Sequence, residues 1–190
     1  MGLFITQWAT ILLGFLIHAA VDRNPQRRTA PRLVELALLW FVAGGGFWSV
    51  FGGLFHIGPT SDQIAQDIGY TQSMFQWEVG WADIAMGVLG LACIRPRFRD
   101  GWMTAAVTVV FIAFWGDGIG HIITLTQGNT APDNIWSMPT DFLLPLISAV
   151  LLIIHRRQQA RPDVTDGSRP ESAFGDQEPR AIADVPARRS

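Results

Sequence analysis

The chain has 190 residues, 49% of them hydrophobic and only 16% charged, with a formal net charge of −2. The apolar residues gather into long runs separated by short charged segments, which excludes an ordinary water-soluble globule and points to a membrane bundle. Every basic residue is Arg. The balance of charge gives no reason to expect a nucleic-acid partner, and a single cysteine, Cys93, excludes an internal disulfide.

A hydrocarbon core about 30 Å thick needs roughly 20 helical residues. Five runs meet that length, at about 3–21, 33–57, 73–94, 102–126 and 138–155. The first lacks a basic n-region and is followed, not preceded, by its basic cluster, so it reads as a span rather than a cleaved signal. Arg23, Arg27, Arg28 and Arg32 then form the first connection. The second run carries Gly45, Ser49, Gly52 and His56 on one helical stripe. In the connection after it, Thr60 and Gln63 have capping-box spacing ahead of Ile64, Ala65 and Ile68, which predicts a short interfacial helix.

The third run opens with Ser73 and Gln76, again at capping-box spacing. Gln76, Gly80, Asp83, Gly87 and Gly90 share one face, whereas Glu78 sits about 140° from Asp83 at roughly 100° per residue. Arg95, Arg97 and Arg99 follow. The fourth run groups Ala113, Asp117, Gly120, His121 and Thr124. The fifth aligns Asp141 with Pro145 and Ser148, and Asp141 stands near its start, where the macrodipole favours an acid. Arg156 and Arg157 close it. From about 158 to 190, Pro162, Pro170, Pro179 and Pro186 alternate with mixed charges, a composition expected to remain a disordered cytoplasmic tail.

Basic residues therefore occupy alternate connections, and those at about 58–72 and 127–137 hold none. By the preference of short basic loops for the cytoplasm, this predicts an all-α bundle of five transmembrane helices over 1–157, N-terminus outside and C-terminus inside. The expected setting is a bacterial cytoplasmic membrane. The expected contacts are lipid and either a membrane-protein partner or a second copy of the chain.

That topology gives the ionisable residues a common depth. His56, Asp83, Asp117, His121 and Asp141 all fall toward the outer leaflet, with Gln76 and Glu78 as secondary candidates. Charge inside a bilayer costs a few kcal/mol, so each such residue needs a partner or a purpose. Asp117 and His121, at i and i+4, can hold one metal ion or share one proton. With a reoriented Glu78, the set offers the two imidazoles and four carboxylates of a di-iron or di-manganese bundle, although the Glu-x-x-His motif is missing. A single zinc, manganese or iron on His56, His121 and one or two aspartates demands less. Without a divalent transition metal, the same groups suit proton transfer or a polar head group.

Plainer roles stand beside these. Asp141 can serve the helix dipole alone, Gln76 a capping box, and His56 the solvated interface. Asp83 and Asp117 can form a buried hydrogen-bonded pair. His18 and Glu35, at the opposite end, read as structural contacts.

The runs GLFHIG, SMFQWEVGWADIAMGVLG, GDGIGHIITLTQGNTAPDN and TDFLLPLI resemble an uncharacterised family of small bacterial multi-pass membrane proteins over about residues 35–155. By that resemblance the matching positions are His56, Gln76, Glu78, Asp83, His121 and Asp141. It implies a membrane location and no particular activity. More distantly, the FxxE-like third span is similar to small membrane proteins associated with quinone oxidation. The resulting expectation is a polar His/Asp pocket in the outer half that binds a metal or protons. A structural or accessory subunit is the alternative. A transporter or proton relay is a second, disfavoured because the faces below Asp83 and Asp117 turn apolar or small.

Overall fold

The computed structural model describes residues 2–71 and 73–160. These form six helices and, among the described residues, no strand. Helix α1 is Gly2–Val21 and α2 is Ala30–Ile57. The short α3 is Ser61–Asp67 and α4 is Met74–Ala92. Helix α5, Arg99–Thr126, continues from a 3-10 turn at Pro96–Phe98, and α6 is Pro132–Gln159. Gln158 and Gln159 thus still belong to a helix, and the rest of the expected tail lies outside the described residues.

Four helices are long and apolar enough to cross a membrane: α1, α2, α5 with its 3-10 turn, and α6. The run expected at 73–94 becomes α4, 19 residues long, which is not among those four. Its polar Gln76, Glu78 and Asp83 dilute its apolar character. Many of the chain's large apolar side chains, Leu13, Ile17, Ile112 and Ile153 among them, stand exposed. A surface of that kind suits lipid rather than water.

Helix α4 nevertheless runs along the second half of α2, from Val42 to Ile57, antiparallel and very close. A Cβ added at Gly46 would lie 2.7 Å from the Gly87 carbonyl oxygen, and one at Gly90 would lie 2.6 Å from that of Val42. Toward the other end, a Cβ at Gly80 would lie 2.7 Å from the Gly53 oxygen. Small residues on both helices let the backbones approach, as association in lipid requires. The contact glycines of α2 are Gly46 and Gly53, each one residue beyond the stripe read from sequence. Gly45 instead faces Leu144, and the Gly52 position is open. A π turn at Trp40–Gly44 lies just before them in α2.

Two helix starts also depart from expectation. Thr60 precedes α3 but makes no side-chain cap; its hydroxyl donates to Phe55 O at 3.2 Å, while Gln63 donates to Asp67 at 2.6 Å. Ser73 likewise makes no side-chain cap for α4; the Gln76 backbone N–H donates to Ser73 O instead, and the Gln76 side chain is engaged by His56. The last helix starts six residues earlier than the expected 138, with Pro132 in its first turn, where proline's fixed φ suits a helix. Pro139 and Pro145 are accommodated inside it. Asp141 is consequently an interior residue of α6 rather than a first-turn acid.

At the Arg-rich end, Glu35 bridges Arg32 and Arg99, each at 2.8 Å, and Arg32 also meets Asp22 at 2.8 Å. The Glu35 pairs are partly exposed, so each contributes up to about 1 kcal/mol. The Arg32 guanidinium holds the Asp22 carboxyl below its ordinary 3.8. A depressed folded-state value means the stabilisation is present above that ordinary value and lost as pH falls through the lowered one. Trp40 Nε1 donates to His18 Nδ1 at 3.1 Å, so His18 and Glu35 both take the structural contacts expected of them. Above this network the bundle is filled by Leu38, Leu39, Val42, Ala43, Cys93, Met103, Ala106 and Val107, with Ile11, Phe41 and Leu144 next to them.

Candidate functional site

Beyond that apolar core, at the Arg-free end, the helices enclose a cavity of about 410 Å³. His56 and Ser49 reach it from α2, Gln76 and Asp83 from α4, Asp117 and His121 from α5, and Asp141 from α6. All five principal candidates read from sequence thus line one space, as does Gln76. Glu78 does not; it is exposed on another face of α4, as its helical phase implies.

His121 is the best-determined of these groups. Its Nδ1 lies 2.8 Å from the Oδ1 of Asn134, a side chain with no exposed surface. The amide nitrogen of Asn134 donates to His121 O and Asn129 O, both at 3.3 Å, so Oδ1 must be the acceptor in the pair. His121 Nδ1 therefore carries a hydrogen, and in the neutral ring Nε2 keeps its lone pair. That Nε2 lies 3.8 Å from Asp141 Oδ2. Asp141 is 8% exposed, and its Oδ2 has no hydrogen-bond partner.

A second imidazole repeats the pattern. His56 Nδ1 is hydrogen-bonded to the side-chain oxygen of Gln76, which is 8% exposed. The polar contact across the α2–α4 seam occupies the glutamine that the capping box would have used. In both pairs a carboxamide oxygen holds Nδ1 of the ring.

Asp83 and Asp117 complete the lining. Among the described residues neither has a hydrogen-bond or ion-pair partner, so the buried hydrogen-bonded pair expected as a plainer role does not form. Trp48 also lines the cavity, and its buried Nε1 has no acceptor. Among the described residues no three His, Cys, Asp or Glu side chains are grouped to hold a metal ion.

The roof comes from the connection after α2. Asn129 donates to Ile68 O at 2.8 Å, tying the end of α3 to the α5–α6 turn. Gly69 adopts φ +74 there, and a Cβ would meet Ala131 Cβ at 3.0 Å, so glycine is required. Tyr70 follows, its ring stacked on His121 with centroids 6.2 Å apart. Gly128, at φ +97, ends α5 in the usual manner of a helix C-terminus.

The model of a family of unknown function, DUF6790, matches residues 1–161. The chain belongs to this family. No curated protein matches it, and no solved structure does. For a DUF6790 chain the description of a site must therefore come from its own geometry.

That geometry includes residues the sequence reading passed over: Asn134, Tyr70, Asn129 and Gln7, the last buried on α1 and lining the cavity. Asn134 had a usable signal. Pro132 marks a helix start, and from there Asn134, Ser137, Asp141 and Ser148 fall at intervals of three, four and seven on one face, all of them buried. Gln7 and Tyr70 carry no comparable pattern.

Proposed function

We propose that the protein spans a bacterial cytoplasmic membrane five times, with its N-terminus outside, and binds a small molecule in a cavity of the outer half. His121 and Asp141 there hold one exchangeable proton that the bound molecule can take or supply. The alternation of basic connections supports the orientation. The antiparallel course of α4 along α2 supports counting α4 as the third crossing.

One observation carries the proton reading: His121 Nε2 and Asp141 Oδ2 face each other at 3.8 Å inside the cavity, with Nδ1 committed to Asn134. At that distance the two are too far apart for a direct hydrogen bond yet close enough to share a proton through a water or a ligand hydroxyl or amine. A group held by a buried carboxamide in a single tautomer is pre-oriented for such exchange.

The apolar layer of Phe41, Val42, Met86, Val107 and Leu144 weighs against a continuous path across the membrane. A second cavity, about 280 Å³ and lined by Glu35, Arg99, His155 and Arg156, lies beyond that layer at the Arg-rich end. The reading is therefore a one-sided binding site rather than a channel.

Infrared difference spectra of the reconstituted protein across a pH titration test it. A carboxyl titration that disappears in Asp141→Asn and moves in His121→Gln is the expected result. A titration of Asp141 indifferent to His121 would remove the shared proton and leave the pair a structural contact.

A further inference from the structure

The chemistry of the cavity wall goes further and restricts what it takes. We infer that the ligand is a lipophilic organic cation, a protonated amine carrying an apolar tail. This rests on reading the cavity as a ligand site and adds the class of ligand.

Charge is the first ground. Five aspartates line the cavity, Asp67, Asp83, Asp117, Asp133 and Asp141, and no arginine does. The connections at its mouth contain no basic residue either. An anionic head group would meet no compensating cation except a protonated histidine. A cation meets carboxyl groups both at the roof, from Asp67 and Asp133, and deeper, from Asp83, Asp117 and Asp141.

Hydrogen bonding is the second, and it is independent of the count of acids. Asp141 is more than nine-tenths buried, lines the cavity, and has an Oδ2 without any donor. What that oxygen lacks is an N–H or O–H, and an ammonium brings several. His121 Nε2, 3.8 Å away with its lone pair free in the neutral ring, accepts another.

The rest of the wall mixes neutral polar side chains, Gln7, Gln76 and Thr140 among them, with a group of aromatic rings. Trp48, Phe55, Tyr70 and Phe114 contribute ring faces or edges around the acids. Aromatic rings stabilise a desolvated cation that carboxylates alone would hold less well. At one side the lining runs out to Leu3 on α1 and Phe75 on α4, 37% and 72% exposed. Helix α1 packs chiefly on α2, so this rim between α1 and α4 opens toward lipid and provides for an alkyl tail. A volume of about 410 Å³ suits a small ligand with part of its tail outside.

The test uses the full chain in phosphatidylcholine nanodiscs at neutral pH, with calorimetric titration of n-nonylamine, n-nonanol and nonanoate, and empty nanodiscs as the blank. Saturable binding of nonylamine is expected, with nonanol weaker and nonanoate silent. Asp141→Asn is expected to weaken nonylamine about tenfold or more, because a charge-assisted bond is lost in a low-dielectric site. Asp117→Asn, at an accessible position that makes no hydrogen bond, provides a second variant should the first fold poorly, with a loss of several-fold. Nonanoate binding as tightly as nonylamine would overturn the inference, as would unchanged nonylamine affinity in both variants. If nonylamine fails while the coupled titration of His121 and Asp141 persists, the cation is wrong and the proton reading stands. If nonylamine binds through Asp141 without that coupling, the cation stands and the shared proton is wrong.

Discussion

Replacing Asn134 with alanine is expected to destabilise the protein by between about 2 and 4 kcal/mol and to release His121 from its single tautomer. Asn134 has no exposed surface and makes four hydrogen bonds, to His121 Nδ1, the Thr124 hydroxyl, His121 O and Asn129 O. At the roughly 0.6 kcal/mol typical of hydrogen bonds between membrane helices, four bonds set the lower figure. The imidazole N–H left without an acceptor away from water raises it, since an orphan costs about 1–3 kcal/mol, whereas His121 O keeps the Thr124 hydroxyl as a donor. Thermal unfolding of detergent-purified protein measures the loss. Asn134→Asp supplies the control: it keeps an acceptor for His121 and Thr124 and drops only the two bonds to carbonyls, so it should recover part of the stability. Equal stability of the alanine variant and the parent would mean that Asn134 does not hold this end of the bundle together.

The second large effect is expected at Gly87. A Cβ there would lie 2.7 Å from Val50 N and 2.6 Å from Val50 Cγ2, and would press on the Gly46 carbonyl oxygen. Because two of these obstacles are backbone atoms, rotamer changes cannot relieve the clash, and α2 and α4 must separate. Gly87→Val is therefore expected to cost at least the roughly 1–3 kcal/mol of ordinary overpacking, and to lower the yield of monodisperse protein. Gly120→Ala is the matched comparison, since a Cβ there meets nothing within 4 Å. It should be neutral or gain up to about 1 kcal/mol from helix propensity. If the two variants behaved alike, the close approach of α2 and α4 would not be a source of stability.

How far the site is legible in the sequence follows from which signals are periodic. Helical phase and depth together were enough to send His56, Asp83, Asp117, His121 and Asp141 toward one region, and to set Glu78 apart. Both are properties of a single helix and its place in the chain. Partner choice is not. The capping-box spacing of Ser73 and Gln76 is local and correct as spacing, yet His56, twenty residues away, takes the glutamine. Thr60 similarly turns back to Phe55 O.

The i, i+4 pair of Asp117 and His121 suggested a shared ligand, but His121 directs one nitrogen to Asn134 and the other to Asp141, both on α6. The stripe of Ser49, Gly52 and His56 does face the cavity, but nothing in its spacing marks Gly46 and Gly53 as the residues that meet α4. Hydropathy alone divides the helices differently again, because the polar residues that make α4 part of the site also leave it without the long apolar stretch that the other four have.

The most direct test of an outward-facing, negatively charged cavity uses a single cysteine at Gly120, which lines it and has room for a side chain. The natural Cys93 is fully buried and gives a silent background. Gly120→Cys is to be exposed, in intact cells and in inverted vesicles, to two membrane-impermeant methanethiosulfonates, one carrying a quaternary ammonium and one a sulfonate. Modification from the outside only, faster with the ammonium reagent, is the expected result. Modification from the cytoplasmic side alone, or a faster reaction with the sulfonate, would contradict the orientation in the first case and the character of the cavity in the second.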